Sequence, residues 1–340
     1  NLRYIEGKGK ITSFLAKLVR WAIRRFLRPW YWLDEAQQWH WVMVPYVKKV
    51  LRREKISTII ATGAPFSVNY AAARIKQKLS KRNIQLKLIQ DMRDLWNDLP
   101  NYSFTFGSQR RCKKSIIYEA FSYDVADHVV TVTKGLAQTF QQKTKTPVKV
   151  IYNGFPGEPT TKMVDGVGSN VKNIVYAGGF AHGRDDVLLV FLQRLKQANL
   201  LNKIFITIYS SWNIQDMLKK QQVFTSNLEF RNPVPYEQLL VSIPNFDFGL
   251  HLNGLASKDA LSTKIFDYIS VGIPVLSVNY GDEIHSFIQE NEFGLSFSLN
   301  DFPNDELLFD QLFKTYSLND STVLRFSYSQ IASQYLNIIK

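Results

Sequence analysis

Between residues 57 and 298, short apolar runs alternate with stretches whose apolar positions recur every three or four residues. The runs predict strands at 57–63, 86–90, 128–133, 148–154, 173–179, 204–210, 248–252, 274–278 and 294–298. The periodic stretches predict helices at 46–53, 68–79, 109–127, up to 142, 185–197, 236–243, through 261–269, 282–291 and 321–340. Strand–helix alternation of this kind predicts an α/β chain of doubly wound, Rossmann-like parallel sheets. Residues 156–170 have no periodicity and are rich in Gly, Thr and charge, which predicts a linker. The expected division is 1–155, linker 156–170, 171–320, and a terminal helix 321–340.

The pattern is sharpest in 259–278, DALSTKIFDYISVGIPVLSV. Leu261, Ile265, Tyr268 and Ile269 share one helical face. Gly272 suits a left-handed helix end, and Pro274 cannot continue the helix. Ser262, Thr263 and Lys264 fill the expected first turn, and Asp267 follows one turn later. Free N–H groups, hydroxyls and an ammonium at a helix start suit a phosphate, and a carboxylate one turn further in suits sugar hydroxyls. The plain alternative is a capped surface helix with a Lys–Asp pair. A second candidate wall is Gly178-Gly179, a glycine turn after a strand, followed by Arg184 at the next helix start. Glycines let backbone approach a diphosphate, and arginine adds a bidentate contact. The dinucleotide pattern Gly-x-Gly-x-x-Gly is absent, which disfavours a nicotinamide enzyme. Asp91, Arg93 and Asp94 cluster after the strand at 86–90, at the sheet edge where open α/β sheets bind ligands; taken by itself, the cluster reads first as a local ion-pair network.

Residues 259–278 resemble the signature of GT-B-fold glycosyltransferases of the retaining family-4-like group. Asp259 and Asp267 have seven residues between them, and Lys264-Ile-Phe-Asp-Tyr-Ile-Ser-Val-Gly-Ile-Pro-Val is similar to that group's Lys-x-x-Glu-Tyr-x-x-x-Gly-x-Pro-Val. Both acidic positions carry Asp for Glu. The 62–67 segment with 91–96 also resembles the acceptor domain of some such transferases. The resemblance implies two Rossmann-like domains facing a cleft, with donor on the second and acceptor on the first. It implies that Arg184 and Lys264 stabilise the leaving diphosphate, Asp267 holds ribose hydroxyls and Asp259 orients the transferred sugar. Gly178, Gly179, Ser262 and Thr263 would line the donor site, with Asn232 and Val234 beside the base. Asp91, Arg93 and Asp94 would face the acceptor. The strand and glycine-rich loop that open a GT-B first domain have no match in residues 1–30, so either the beginning is missing or the domain is reduced. Two other classes stay open: a sugar-nucleotide epimerase on the same scaffold, and a non-catalytic nucleotide-sugar-binding subunit.

Composition narrows the partners. The 340 residues carry a net charge of +13, concentrated early in the chain, which favours an anionic partner. Residues 11–32 combine an apolar helical face with Lys17, Arg20, Arg24, Arg25, Arg28 and several aromatics. That pattern suits an anionic membrane surface and with it a lipid-linked or glycan acceptor, the plain alternative being a helix packed on its domain with a solvated basic face. No nucleic-acid motif is present. The single Cys112 excludes an intramolecular disulfide and fits a reducing compartment. No apolar run of about 18 residues and no secretory signal is visible, so a cytoplasmic protein, peripheral at the inner membrane face, is expected. No Asp-x-Asp motif is present, so no metal is expected, and no cofactor beyond a nucleotide-sugar donor, with a UDP-sugar favoured.

Overall fold

The computed structural model describes residues 34–97, 109–160, 171–255, 261–281 and 283–340. The basic stretch 11–32 and Asp259 therefore lie outside the described residues. The chain forms two compact units. One runs to Val132 and takes in Leu136–Val150 and Ile339; the other holds Thr133–Gly135, Ile151–Ile338 and Lys340.

The first unit carries α1 (His40–Arg53), β1 (Thr58–Gly63), α2 (Ser67–Ser80), β2 (Lys87–Met92), α3 (Gln109–Asp124), β3 (His128–Thr131), all but the first two residues of α4 (Lys134–Gln141), and β4 (Val148–Val150). Its four strands are parallel and lie in the order β1-β2-β3-β4. Ala71, Ala72, Ala73 and Ile75 of α2 are buried, and the three alanines are small enough to bring the helix close to the sheet. Asn69 and Gln90 bond each other at 2.8 Å in that buried layer, and Gln90 reaches the Ser122 carbonyl of α3 at 3.2 Å.

In the second unit come β5 (Lys172–Ala177), α5 (Arg184–Gln197), β6 (Ile204–Tyr209), α6 (Gln215–Lys220), β7 (Leu228–Arg231), α7 (Tyr236–Ser242) and β8 (Phe248–Leu252). They are followed by α8 (Thr263–Ser270), β9 (Val275–Asn279), α9 (Glu283–Glu290), β10 (Gly294–Ser298), α10 (Asp305–Phe313), α11 (Asp320–Leu324) and α12 (Tyr328–Ile339). Its six strands are parallel in the order β10-β9-β8-β5-β6-β7. This is a doubly wound sheet, and its strand order reverses between β5 and β8. β8 and β9 are buried throughout, as parallel strands covered by helices on both faces must be.

Three differences from the sequence pattern have identifiable physical causes. β7 is a strand because Leu228 packs inward, while its outward Glu229 and Arg231 pair at 2.7 Å and mask the apolar alternation. α6 and α10 are short helices that pack only Leu218, and Leu308 with Leu312, into the core. The expected helix 321–340 is two helices. Ser327 is in extended backbone and caps α12 by accepting from the Gln330 N–H, while Phe155 bridges to this break.

Candidate active site

In a doubly wound sheet, ligands bind beyond the carboxyl ends of the strands where strand order reverses. Here that point lies between β5 and β8. Beyond β5 stands Gly178-Gly179, and beyond β8 stands Asn253-Gly254. A Cβ on Gly254 would lie 1.9 Å from the His182 carbonyl oxygen, so the two turns pack backbone to backbone. Gly183, at φ +78°, turns the chain left-handed into α5, and Arg184 is the first residue of that helix.

α8 supplies the next wall. Ser262 caps it, accepting from the Lys264 N–H at 3.4 Å, and Gly272 follows its end at φ +76°. One apolar face, Ile265, Phe266, Tyr268 and Ile269, is buried. The Tyr268 ring lies directly on Gly249 of β8, where a Cβ would come within 2.2–2.5 Å of it. Its hydroxyl donates to the Leu250 carbonyl at 3.2 Å. This contact fixes the rotation of α8, and with it Lys264 and Asp267, one turn and one position earlier.

Lys264 folds onto the glycine turn. A Cβ on Gly178 would sit 2.6 Å from Lys264 Cε and 3.0 Å from Nζ. Burial lowers the Lys264 pKa, the nearby Arg184 charge lowers it further, and Asp267 opposes both. No ion pair joins Lys264 to a carboxylate among the described residues. Complete burial, with the same two cations, pushes His251 at the end of β8 down to about 3. The imidazole is therefore neutral, held by Ser277 Oγ at 3.1 Å. Tyr176 is pushed up to about 12 by burial, with Arg184 acting in the opposite sense, and donates to the Gly179 carbonyl at 2.7 Å. Arg184, Lys264 and His251 thus sense one another electrostatically at the reversal point, above a turn that only glycine leaves open.

Asp267 does not form with Lys264 the surface ion pair of the plain alternative. Its Oδ1 accepts from the Tyr236 hydroxyl at 2.7 Å. Burial raises the Asp267 pKa, and the Tyr236 bond and the Lys264 charge oppose that rise. The indole of Trp212, in the loop after β6, stands over Gly179, with Nε1 2.8 Å from where a Cβ would lie. Tyr236 and Trp212 carry no signal in the sequence, because each reaches its partner from about 30 positions away in the chain. Asn232 and Val234 are exposed in the loop between β7 and α7, which leads into Tyr236. Thr263 is exposed at the first position of α8.

The remaining candidates lie in the first unit. Asp91 is buried at the end of β2, and its Oδ2 accepts from Thr62 Oγ1 and Arg93 Nε, both at 3.1 Å. Its Oδ1 is buried without a hydrogen-bond partner among the described residues. Asp94 is exposed. Among the described residues, no group of three or more His, Cys, Asp or Glu side chains converges as metal ligands would. No described helix is long and apolar enough to cross a membrane.

No protein-family model and no curated protein matches the sequence. Solved structures do match by shape. The lipopolysaccharide outer core galactosyltransferase WaaB superposes with a TM-score of 0.54 at 12% identity, over 89% of this chain and 79% of its own. Sucrose-phosphate synthase from Thermosynechococcus elongatus gives 0.54 at 12%, over 90% and 78%. A UDP-forming trehalose-phosphate synthase from Burkholderia xenovorans gives 0.59 at 10%, over 88% and 77%. At these identities the likeness speaks for the architecture. Two parallel-sheet units and these neighbours agree with the resemblance carried by residues 259–278: the chain has the GT-B fold.

Proposed function

We propose that the protein is a glycosyltransferase that moves a sugar from a nucleotide-sugar donor to an acceptor with retention of configuration. The observation that carries this reading is Lys264. Its ammonium rests on Gly178 at the reversal point of the sheet, beside Arg184 and without an ion-pair partner among the described residues. Two half-buried cations held close together repel each other, which costs free energy. A diphosphate relieves that cost, and more so as negative charge grows on it during bond cleavage. Arg184 and Lys264 stabilise the leaving diphosphate, aided by the N–H groups at the Ser262–Lys264 helix start. Asp267 takes ribose hydroxyls, Asn232 and Val234 flank the base, and Asp259 orients the sugar. The half-satisfied carboxylate of Asp91 receives an acceptor hydroxyl, with Arg93 and Asp94 beside it. No metal takes part. The basic aromatic stretch 11–32 favours a lipid-linked or glycan acceptor at the inner face of the cytoplasmic membrane, and a UDP-sugar is the favoured donor.

Thermal unfolding against UDP, GDP, ADP, CMP and dTDP tests the donor half. One nucleoside diphosphate stabilises the protein, and Lys264→Ala and Asp267→Ala each remove most of that shift. Absence of any shift at millimolar ligand sinks the donor-site assignment. Where donor binds, turnover with no acceptor present would mark an epimerase, and binding with no turnover under any acceptor would mark a non-catalytic subunit.

A further inference from the structure

Helix α1 has two apolar faces, and only one of them is used inside its unit. Val44, Val47 and Leu51 pack with Ile75, Leu79 and Leu86. On the opposite side Val42 is 77% exposed and Tyr46 65%, with Trp41 at 86% on the flank between the two faces and Trp39 at 64% just ahead of the helix. The helix is pinned at its start. Asp34 accepts from the Ser67 N–H at 2.8 Å and from the Ala36 N–H at 3.0 Å, and the His40 ring bonds the Ser67 carbonyl at 2.7 Å. The exposed rings therefore project from a fixed support.

Spacings of three and four continue the outer stripe from Val42 and Tyr46 to Lys49, Arg52 and Arg53, all exposed. The stripe is apolar in its first two turns and cationic in its last two. Lys48 lies at its flank, with Lys78 and Arg82 from the end of α2 near enough, together with Arg52, to depress the Lys48 pKa after burial has done so. One carboxylate interrupts the patch: Glu54 pairs with Arg53 at 2.6 Å.

We propose that this face docks on an anionic lipid bilayer, Trp39, Trp41, Val42 and Tyr46 entering the boundary between headgroups and acyl chains while Lys48, Lys49, Arg52, Lys78 and Arg82 meet anionic headgroups. Tryptophan and tyrosine favour that boundary because their rings are part apolar and part polar. Apolar and cationic residues separated by about 10 Å along one helix match the two zones of a bilayer surface. A nucleic-acid groove would instead interleave aromatic rings with the cations. The surface takes no part in the transfer reaction.

Flotation of the full chain with vesicles of phosphatidylcholine alone, and with about one-third phosphatidylglycerol, tests it. Wild type floats with the anionic vesicles, and salt weakens this. Trp41→Ser with Tyr46→Ser weakens binding on the order of tenfold or more. Lys49→Glu with Arg52→Glu weakens it about fivefold or more per cation and flattens the salt dependence. These side chains are exposed, so both variants should unfold at the wild-type temperature. If both float like wild type, the proposal fails. It also fails if only a variant with Arg20, Arg24, Arg25 and Arg28 replaced loses binding, which would assign the membrane contact to 11–32 alone. A change from dimer to monomer in the Trp41/Tyr46 variant, with flotation intact, would assign the face to a second copy and overturn it too.

Discussion

Lys264→Met should make the ligand-free protein more stable and the nucleotide-bound protein less so. The folded chain holds this ammonium against Gly178 and near Arg184, and lowers its pKa through burial first and the Arg184 charge second. The folded state then binds the proton less tightly than the unfolded chain does. Stability falls as pH drops below the unfolded lysine value, and the penalty is complete once both states are protonated. Methionine keeps most of the length of the side chain and removes the charge. The gain is about 1 kcal/mol, the low end for removing buried charge because the group is only partly buried. That is a rise in Tm of about 2–4 °C for a unit of this size. The bound state moves the other way. A charge-assisted contact to phosphate contributes about 2 kcal/mol, so its loss raises Kd about 30-fold. At a ligand concentration of about 100 times the wild-type Kd, the wild type gains about 2.7 kcal/mol and the variant about 0.9. The corresponding shifts are about 5–11 °C and about 2–4 °C. Thermal unfolding with and without the stabilising diphosphate reads both. Gly178→Ala supplies the second arm of a double-mutant cycle. Its Cβ would lie 2.6 Å from Lys264 Cε and so displaces the ammonium. It should weaken diphosphate binding in the wild-type background, and much less in the Lys264→Met background, where no charge remains to be displaced. A Lys264→Met protein that is less stable without ligand, yet keeps the full diphosphate shift, refutes the reasoning.

Three further outcomes follow from the same contacts. Gly249→Ala forces a Cβ to within 2.2–2.5 Å of the buried Tyr268 ring, and should cost about 2–4 kcal/mol in a urea unfolding experiment, along with diphosphate binding. His251, neutral down to about 3, binds fewer protons folded than unfolded below its ordinary value of 6.5; stability should therefore fall as pH drops from 6.5 toward 3, by up to about 1.4 kcal/mol per pH unit, and His251→Asn should flatten that slope of Tm against pH. Tyr236→Phe removes the hydroxyl that opposes the rise of the Asp267 pKa, so the pKa should rise further; the loss of about 1 kcal/mol should be larger at pH 8, where Asp267 is ionised, than at pH 4, and equal losses at the two would refute it.

What can be read from the chain divides by how far each feature reaches along it. Alternation of strands and helices is written in neighbouring residues, and so is the end of α8 at Gly272 and Pro274 or its start at Ser262. These are legible because the cap, the face and the breaker lie within one or two turns. β7 is not, because an edge strand has one sheet neighbour and its outward Glu229 and Arg231 read as loop. The break at Ser327 is not, although Ser327 caps α12 locally, because the bridge that meets it comes from Phe155, far back in the sequence.

The candidate site shows the same limit with more consequence. Residue types point to Lys264, Asp267, Gly178 and Arg184 as one neighbourhood, since strand ends and helix starts of a doubly wound sheet converge at its reversal point. Their mutual arrangement is not readable. A glycine at 178 predicts room for a ligand, but the space above it is filled by the stem of Lys264. Asp267 sits one turn from Lys264, which on an isolated helix predicts a pair. The fold instead brings Tyr236 to its carboxylate from 31 positions away. That exchange matters chemically. The Tyr236 hydroxyl donates to Asp267 Oδ1 at 2.7 Å, while the Asp267 charge still acts on Lys264 and opposes the fall of its pKa. Tyr236 therefore orients the Asp267 carboxylate, a role that no spacing rule within α8 could assign.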